Sequence, residues 1–326
     1  MTLRYTPALM LASTLVLTGC QSADAPVSWS EYARQGAYSA AISPTASYVS
    51  LGSSLHGGSL WDVAQNARLF SWNHKSGEYS TLSATAFSPD EKYAVTAEQQ
   101  ALVLWETGSG KPLEFLSSQA EILDIALAHN GDFALVGQAD HNAVYYDLKN
   151  GGARETLRHD ARVRAVALDK TGQFALTGSD AYKAKLWNLL TGELQQTLTF
   201  DNTVDTVALS ADGRLAFSSA TLNRAVIWET ATGKELATLT SDEAFFAQRV
   251  SYLSARFSTD SRYLLTGSAS GVVQLWDARK GSLMRSWQVH KRDAYGPTNT
   301  GVYDVAFGKK GVFFAVGSNG VMNELH

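Results

Sequence analysis

The chain has 326 residues, 45% hydrophobic and 18% charged, which is enough apolar content for a large core and too much for a disordered chain. Lys plus Arg number 27 against 31 Asp plus Glu, a net charge of −4 that excludes the basic footprint of a general nucleic-acid binder. A single cysteine excludes an intramolecular disulfide and a zinc site built on several thiolates.

The first segment reads as an address rather than as fold. Arg4 is its only charge, and an apolar run from Ala8 to Leu17 follows Pro7. That run is shorter than the roughly 20 apolar residues a bilayer span needs. It ends in Leu17-Thr18-Gly19-Cys20, which resembles the lipobox of bacterial lipoproteins. The resemblance implies cleavage before Cys20 once its thiol is lipidated, and Gln21 in place of Asp implies sorting to the outer membrane. Residues 1–19 are therefore expected to be a signal peptide and 20–26 a lipidated tether, with the rival reading a frayed N-terminus carrying a buried thiol.

From residue 27 onward one unit recurs. The first strand of each unit is expected to end at Ile42, Phe87, Leu127, Leu168, Leu209, Phe257 and Phe307, preceded by Ala41, Ala86, Ala126, Ala167, Ala208, Arg256 and Ala306. Turn segments such as Ser88-Pro89-Asp90-Glu91-Lys92 follow, then Tyr48, Tyr93, Phe133, Phe174, Leu215, Tyr263 and Phe313. A further column holds Trp61, Trp105, Tyr146, Trp187, Trp228, Trp276 and Leu325. Five positions beyond it stand Asn66, Gly110, Gly151, Gly192, Gly233 and Gly281, residues that tolerate the positive φ of a hairpin turn. Eleven positions beyond it stand Trp72, Leu116, Leu157, Leu198, Leu239 and Trp287, all apolar. Four short strands per unit at this period predict an all-β, seven-bladed propeller of four-stranded antiparallel blades over 27–326. The last unit stops at Leu325-His326 before a fourth strand, and residues 27–33 belong to no unit. They are predicted to supply the missing outer strand and close the ring, leaving no open inner edge.

Segments such as Leu264-Leu265-Thr266-Gly267-Ser268 with Val273-Gln274-Leu275-Trp276-Asp277, and Val226-Ile227-Trp228-Glu229 with Thr232-Gly233-Lys234, resemble WD-repeat β-propellers. The Gly-His pair of that family is absent, and only His159, His290 and His74 stand near its position. The family's buried His–Ser/Thr–Asp–Trp network is expected nearly whole in the fourth blade alone, from His159, Thr177, Asp180 and Trp187. The resemblance implies a non-enzymatic scaffold that binds partner proteins, here in the cell envelope on the periplasmic face of the outer membrane.

No GxSxG elbow, HExxH, Walker loop or dinucleotide fingerprint is present, and the histidines show no metal-ligand spacing. No catalytic residue, metal or cofactor is expected. Three insertions, at 73–80, 240–250 and 289–301, all lie in connections from one blade to the next, so they form an arc on one face across blades five, six, seven, one and two. Their Tyr79, Phe245, Phe246, Arg249, Lys291, Arg292 and Tyr295 are the candidate partner-binding residues, aromatics beside cations being the usual material of hot spots. The two phenylalanines read equally well as core folded over a blade junction. At the channel mouth, Asp124, Asp205 and Asp304 lie near the starts of inner strands, as do Arg162 and Arg164, and Arg256 replaces alanine in the most crowded column. Arg256 reads either as a local salt bridge, the favoured account, or as a ligand for an acidic group in the channel. The alternatives to a scaffold are a small-molecule or carbohydrate-binding, even hydrolytic, propeller that uses the channel, and a quinoprotein-like cofactor binder suggested by Thr191-Gly192 and Thr232-Gly233.

Overall fold

Successive short strands alternate direction and, with the exception of the first, pair with their sequence neighbours, giving seven separate four-stranded antiparallel sheets. The computed structural model describes residues 23–239, 250–292 and 300–326. The innermost strands are Ala37–Ile42, Ala84–Phe87, Ile122–Ala128, Val163–Leu168, Val204–Leu209, Tyr252–Phe257 and Val302–Phe307. Each lies beside the next, and the last lies beside the first, so the sheets close into a ring. The seven-bladed propeller read from the repeat is the observed fold.

Closure also takes the predicted form. The outermost strand of blade seven is Ser28–Glu31, paired antiparallel with Val321–Leu325 from Ser28 opposite Glu324 to Glu31 opposite Val321. One contact extends this clasp. Asp24 forms a parallel bridge to Trp287 on the outermost strand of blade six, its N–H reaching the Ser286 carbonyl at 2.9 Å while its carbonyl accepts the Gln288 N–H at 2.8 Å. The segment before the ring therefore grips two blades.

The core lies between neighbouring sheets, and the repeated columns explain how. Trp228 of blade five packs among Leu176, Leu186 and Leu198 of blade four, and Trp276 of blade six among Phe217 and Ile227 of blade five. Burying an indole leaves its N–H in need of an acceptor. The strand alongside provides one: Trp105 donates to Thr96 at 2.8 Å, Trp187 to Thr177 at 3.0 Å, Trp228 to Ser218 at 3.1 Å and Trp276 to Thr266 at 2.9 Å. Leu325 holds this position in blade seven, fully buried opposite Phe313 as Trp276 is opposite Leu264. Asn66 and the five glycines of the hairpin column all adopt positive φ, between 50° and 79°.

Candidate functional site

In a four-stranded meander the connections between blades and the turns joining second to third strands emerge on one face, and the remaining turns on the other. The first of these is the connection face. The 73–80 connection and the described ends of the other two insertions lie on it. The 73–80 connection has a fixed base and an exposed tip. Asn73 Oδ1 accepts the N–H groups of Gly58 at 3.0 Å and Ser80 at 3.1 Å, while the His74 N–H donates to Ser80 Oγ at 2.8 Å. Tyr79 at the tip is 69% exposed, edge-on to His56 with ring centroids 6.4 Å apart. Lys291 is half-buried in the third connection. Phe245, Phe246, Arg249, Tyr295 and the lipidation candidate Cys20 lie outside the described residues.

Arg292 has a different task from the one its sequence position suggested. Its Nη2 donates to Glu31 and to the Ala33 carbonyl, both at 2.5 Å, so it ties the third connection to the closing strand instead of standing free for a partner. Beside it, Trp29 of the closing strand stacks on His290, with ring centroids 3.9 Å apart and planes 12° from parallel. Glu31, Arg34, Arg292 and Val321 complete a cleft of about 420 Å³ with this pair. No neighbour of Trp29 in the chain marks this stack, which joins residues 261 positions apart.

The central channel has a volume of about 650 Å³ and is walled by the alanine column and by the candidate acids. Its charged groups are turned toward neighbouring strands. Asp304 accepts the Ile42 N–H at 2.7 Å, its own neighbour Val305 at 2.8 Å, and Arg256 Nη2 at 2.8 Å. Arg256 extends past blade seven to the carbonyls of Ile42 at 2.8 Å and Ser43 at 3.3 Å in blade one. The salt-bridge account of Arg256 is the one its geometry fits, with the addition that the pair joins blades six, seven and one. Asp124 accepts the Val166 N–H and the Ile125 N–H, each at 2.8 Å, and burial pushes its carboxyl up to about 7 against the pull of those bonds. Asp205 accepts the Thr221 hydroxyl at 2.7 Å through Oδ2, its Oδ1 has no partner among the described residues, and burial raises it as well. Among the described residues no three His, Cys, Asp or Glu side chains come together as a metal site.

The buried histidine network differs from the expectation in two respects. His159 Nε2 lies 2.9 Å from Thr177 Oγ1, which also accepts the Trp187 N–H, but Asp180 is not part of the chain. Asp180 instead accepts Arg162 and Arg164. The same three-residue chain recurs in blade two, where His74 Nε2 lies 2.8 Å from Thr96 Oγ1 and Trp105 donates to that hydroxyl. Glu98 approaches His74 Nδ1 at 3.8 Å. Burial holds His159 far below its ordinary range, at about 3, with the charge of Lys185 adding to the fall, and burial also lowers His74. Both rings are neutral wedges between blades.

Two stretches, residues 153–188 and 233–277, match the family WD domain, G-beta repeat. Each spans the outermost strand of one blade and the three inner strands of the next. No curated protein matches the chain. With the same four-stranded unit repeated around a closed ring, the chain is a WD-repeat β-propeller.

Proposed function

We propose that this WD-repeat β-propeller is a non-enzymatic interaction platform, held by a lipid on Cys20 at the periplasmic face of the outer membrane, that binds a partner protein of the cell envelope through its connection face. The observation that carries this reading is the distribution of exposed apolar side chains. Tyr38, Leu55, Tyr79, Tyr182, Leu222 and Leu253 are all exposed on the connection face, spread around the channel mouth. Toward the opposite face the exposed apolar side chains are Leu190 in a turn and Leu113, Leu194, Leu236 and Met284 at the starts of outermost strands, on the outer rim and away from the channel. Exposed leucines scattered on an outer rim need no explanation, but aromatic and aliphatic residues gathered around a channel mouth on a rigid scaffold do. Loops mounted on such a scaffold are where recognition concentrates. Asp124 and Asp304, engaged with backbone N–H groups, weigh against the readings that place a sugar, a quinone or hydrolytic chemistry there.

The surface assignment predicts an asymmetric response to mutation. Tyr79→Glu combined with Leu222→Glu is expected to abolish co-purification of the envelope partner, by at least about tenfold as for loss of a hot spot, without lowering the melting temperature. Leu190→Glu on the opposite face is expected to leave co-purification intact. Equal retention by both proteins, or loss only with Leu190→Glu, contradicts the assignment.

A further inference from the structure

The arc of long connections leaves out blades three and four, and there the connection face carries a different chemistry. Arg162 lies in the connection entering blade four and Arg164 near the start of its innermost strand, Val163–Leu168. Both donate Nε–H to a single carboxylate, Arg162 to Asp180 Oδ2 at 2.8 Å and Arg164 to Asp180 Oδ1 at 2.9 Å. The Asp180 N–H in turn bonds the Arg162 carbonyl at 2.9 Å, so the three groups hold one another. A guanidinium bonded through Nε still has its Nη donors to offer. Among the described residues, no Nη atom of either arginine has a hydrogen-bond partner.

Neighbouring groups extend the same sign of charge. Lys183 pairs with Asp160 at 2.8 Å. Lys185 places Nζ 3.1 Å from the Arg158 carbonyl and 5.5 Å from the centre of the Trp187 ring. Five cations, Arg158, Arg162, Arg164, Lys183 and Lys185, stand with Asp160, Asp180, Asp140 in the turn beside Asn142, Asp201 next to the Phe200 that bonds the Tyr182 carbonyl, and, across the junction to blade five, Asp205, which feels Arg164. The corner is near charge balance, so what it offers a ligand is the donor geometry of the two guanidinium groups. Exposed Tyr182 sits in the turn between Asp180 and Lys183.

We propose that this corner of blade four is a docking site for an acidic stretch of polypeptide, whose Asp and Glu carboxylates take the Nη donors of Arg162 and Arg164 while its chain lies across Tyr182. The argument is donor geometry with a direction. A single small anion would be satisfied by one guanidinium fork, whereas two forks braced by one carboxylate, with lysines continuing along the blade and an aromatic ring between, match negative charges repeated along a chain. Bracing by Asp180 fixes both guanidinium groups before binding, which lowers the ordering cost. Charge-assisted bonds of this kind are the strong class of hydrogen bond. The site does not depend on the lipid anchor or on the partner of the long connections.

The test uses the full chain and a fluorescently labelled short peptide of alternating glutamate and serine, read by anisotropy at low salt. Saturable binding is expected, lost when glutamine replaces glutamate in the peptide and weakened at least about tenfold by Arg162→Gln with Arg164→Gln. Lys170→Gln on the opposite face is expected to bind as the parent does. If the double variant melts early, Arg162→Glu alone, at a half-exposed position, is expected to show the same weakening. Absence of saturable binding, equal binding of the glutamine peptide, undiminished binding by Arg162→Glu, or displacement by inorganic phosphate at matched charge would each overturn the proposal, the last by showing a small-anion site only.

Discussion

Deletion of residues 23–33 is expected to abolish the cooperative thermal transition and to convert the protein into soluble oligomers or aggregate. The segment is short, but it touches three blades. Asp24 bridges to blade six, Ser28–Glu31 completes blade seven, and Tyr32 and Ala33 are buried against blade one. Tyr32 is 5% exposed, stacks on Trp61 with centroids 4.5 Å apart, and donates its hydroxyl to Asn66 Oδ1 at 3.0 Å. Truncating one buried aromatic of this kind costs on the order of 3–5 kcal/mol. The four strand pairings and the Arg292 contacts are lost as well, against a total stability of about 5–15 kcal/mol for a typical domain. The strand Val321–Leu325 would also be left as an unpaired edge, an invitation to pairing between copies. Light scattering and a melting curve check this, and a monomer with an unchanged transition would show that the clasp is dispensable.

Arg256→Ala is expected to cost about 3–5 kcal/mol, out of proportion to a single channel residue. The guanidinium is 27% exposed and Asp304 only 15%, so its removal leaves a carboxylate sheltered from water with its counter-charge gone. Burial already raises Asp304 above the usual carboxylate range while Arg256 pulls it down. A carboxyl raised in the folded state contributes stability that is lost as pH rises through its folded value. Taking Arg256 away raises Asp304 further, so the penalty of the variant is expected to be larger at about pH 8 than at about pH 5. Urea unfolding at the two pH values measures it, and Asp304→Asn in the Arg256→Ala background is expected to recover part of the loss. A penalty that does not change with pH would mean that the arginine acts through its carbonyl contacts alone.

Where a residue's role is set by its own repeat, the sequence displays it. The tryptophan column, the hairpin column of Asn66 and five glycines, and the seven-fold count all follow from local strand and turn geometry. Closure was legible for the same reason, because one unit lacked a strand and one segment lacked a unit. What stayed hidden depends on contacts across the ring. Nothing adjacent to Trp29 announces its stack on His290, and nothing near Arg256 announces that it passes blade seven to reach Ile42. Asp180 shows the same limit from the other side. It stands one residue early for the family network, and two nearby arginines take its oxygens and hold it. Likewise the Arg292 side chain looked available from sequence because Glu31 and the Ala33 carbonyl are distant in the chain and close in the ring.

The two faces of the ring differ in what they can hold. One displays aromatic and aliphatic side chains around the channel mouth and the paired arginines of blade four, while the other exposes its apolar side chains in a single turn and along the outer rim. Lysines are distributed over both, which makes chemical crosslinking in the intact envelope the most direct test of the platform reading. Lys75, Lys183 and Lys291 report on the connection face, and Lys111, Lys170, Lys309 and Lys310 on the opposite one. Crosslinks from the first group to a single envelope protein, with the second group largely silent, are the predicted result. Crosslinks confined to the second group, or none to any protein from either, would contradict it.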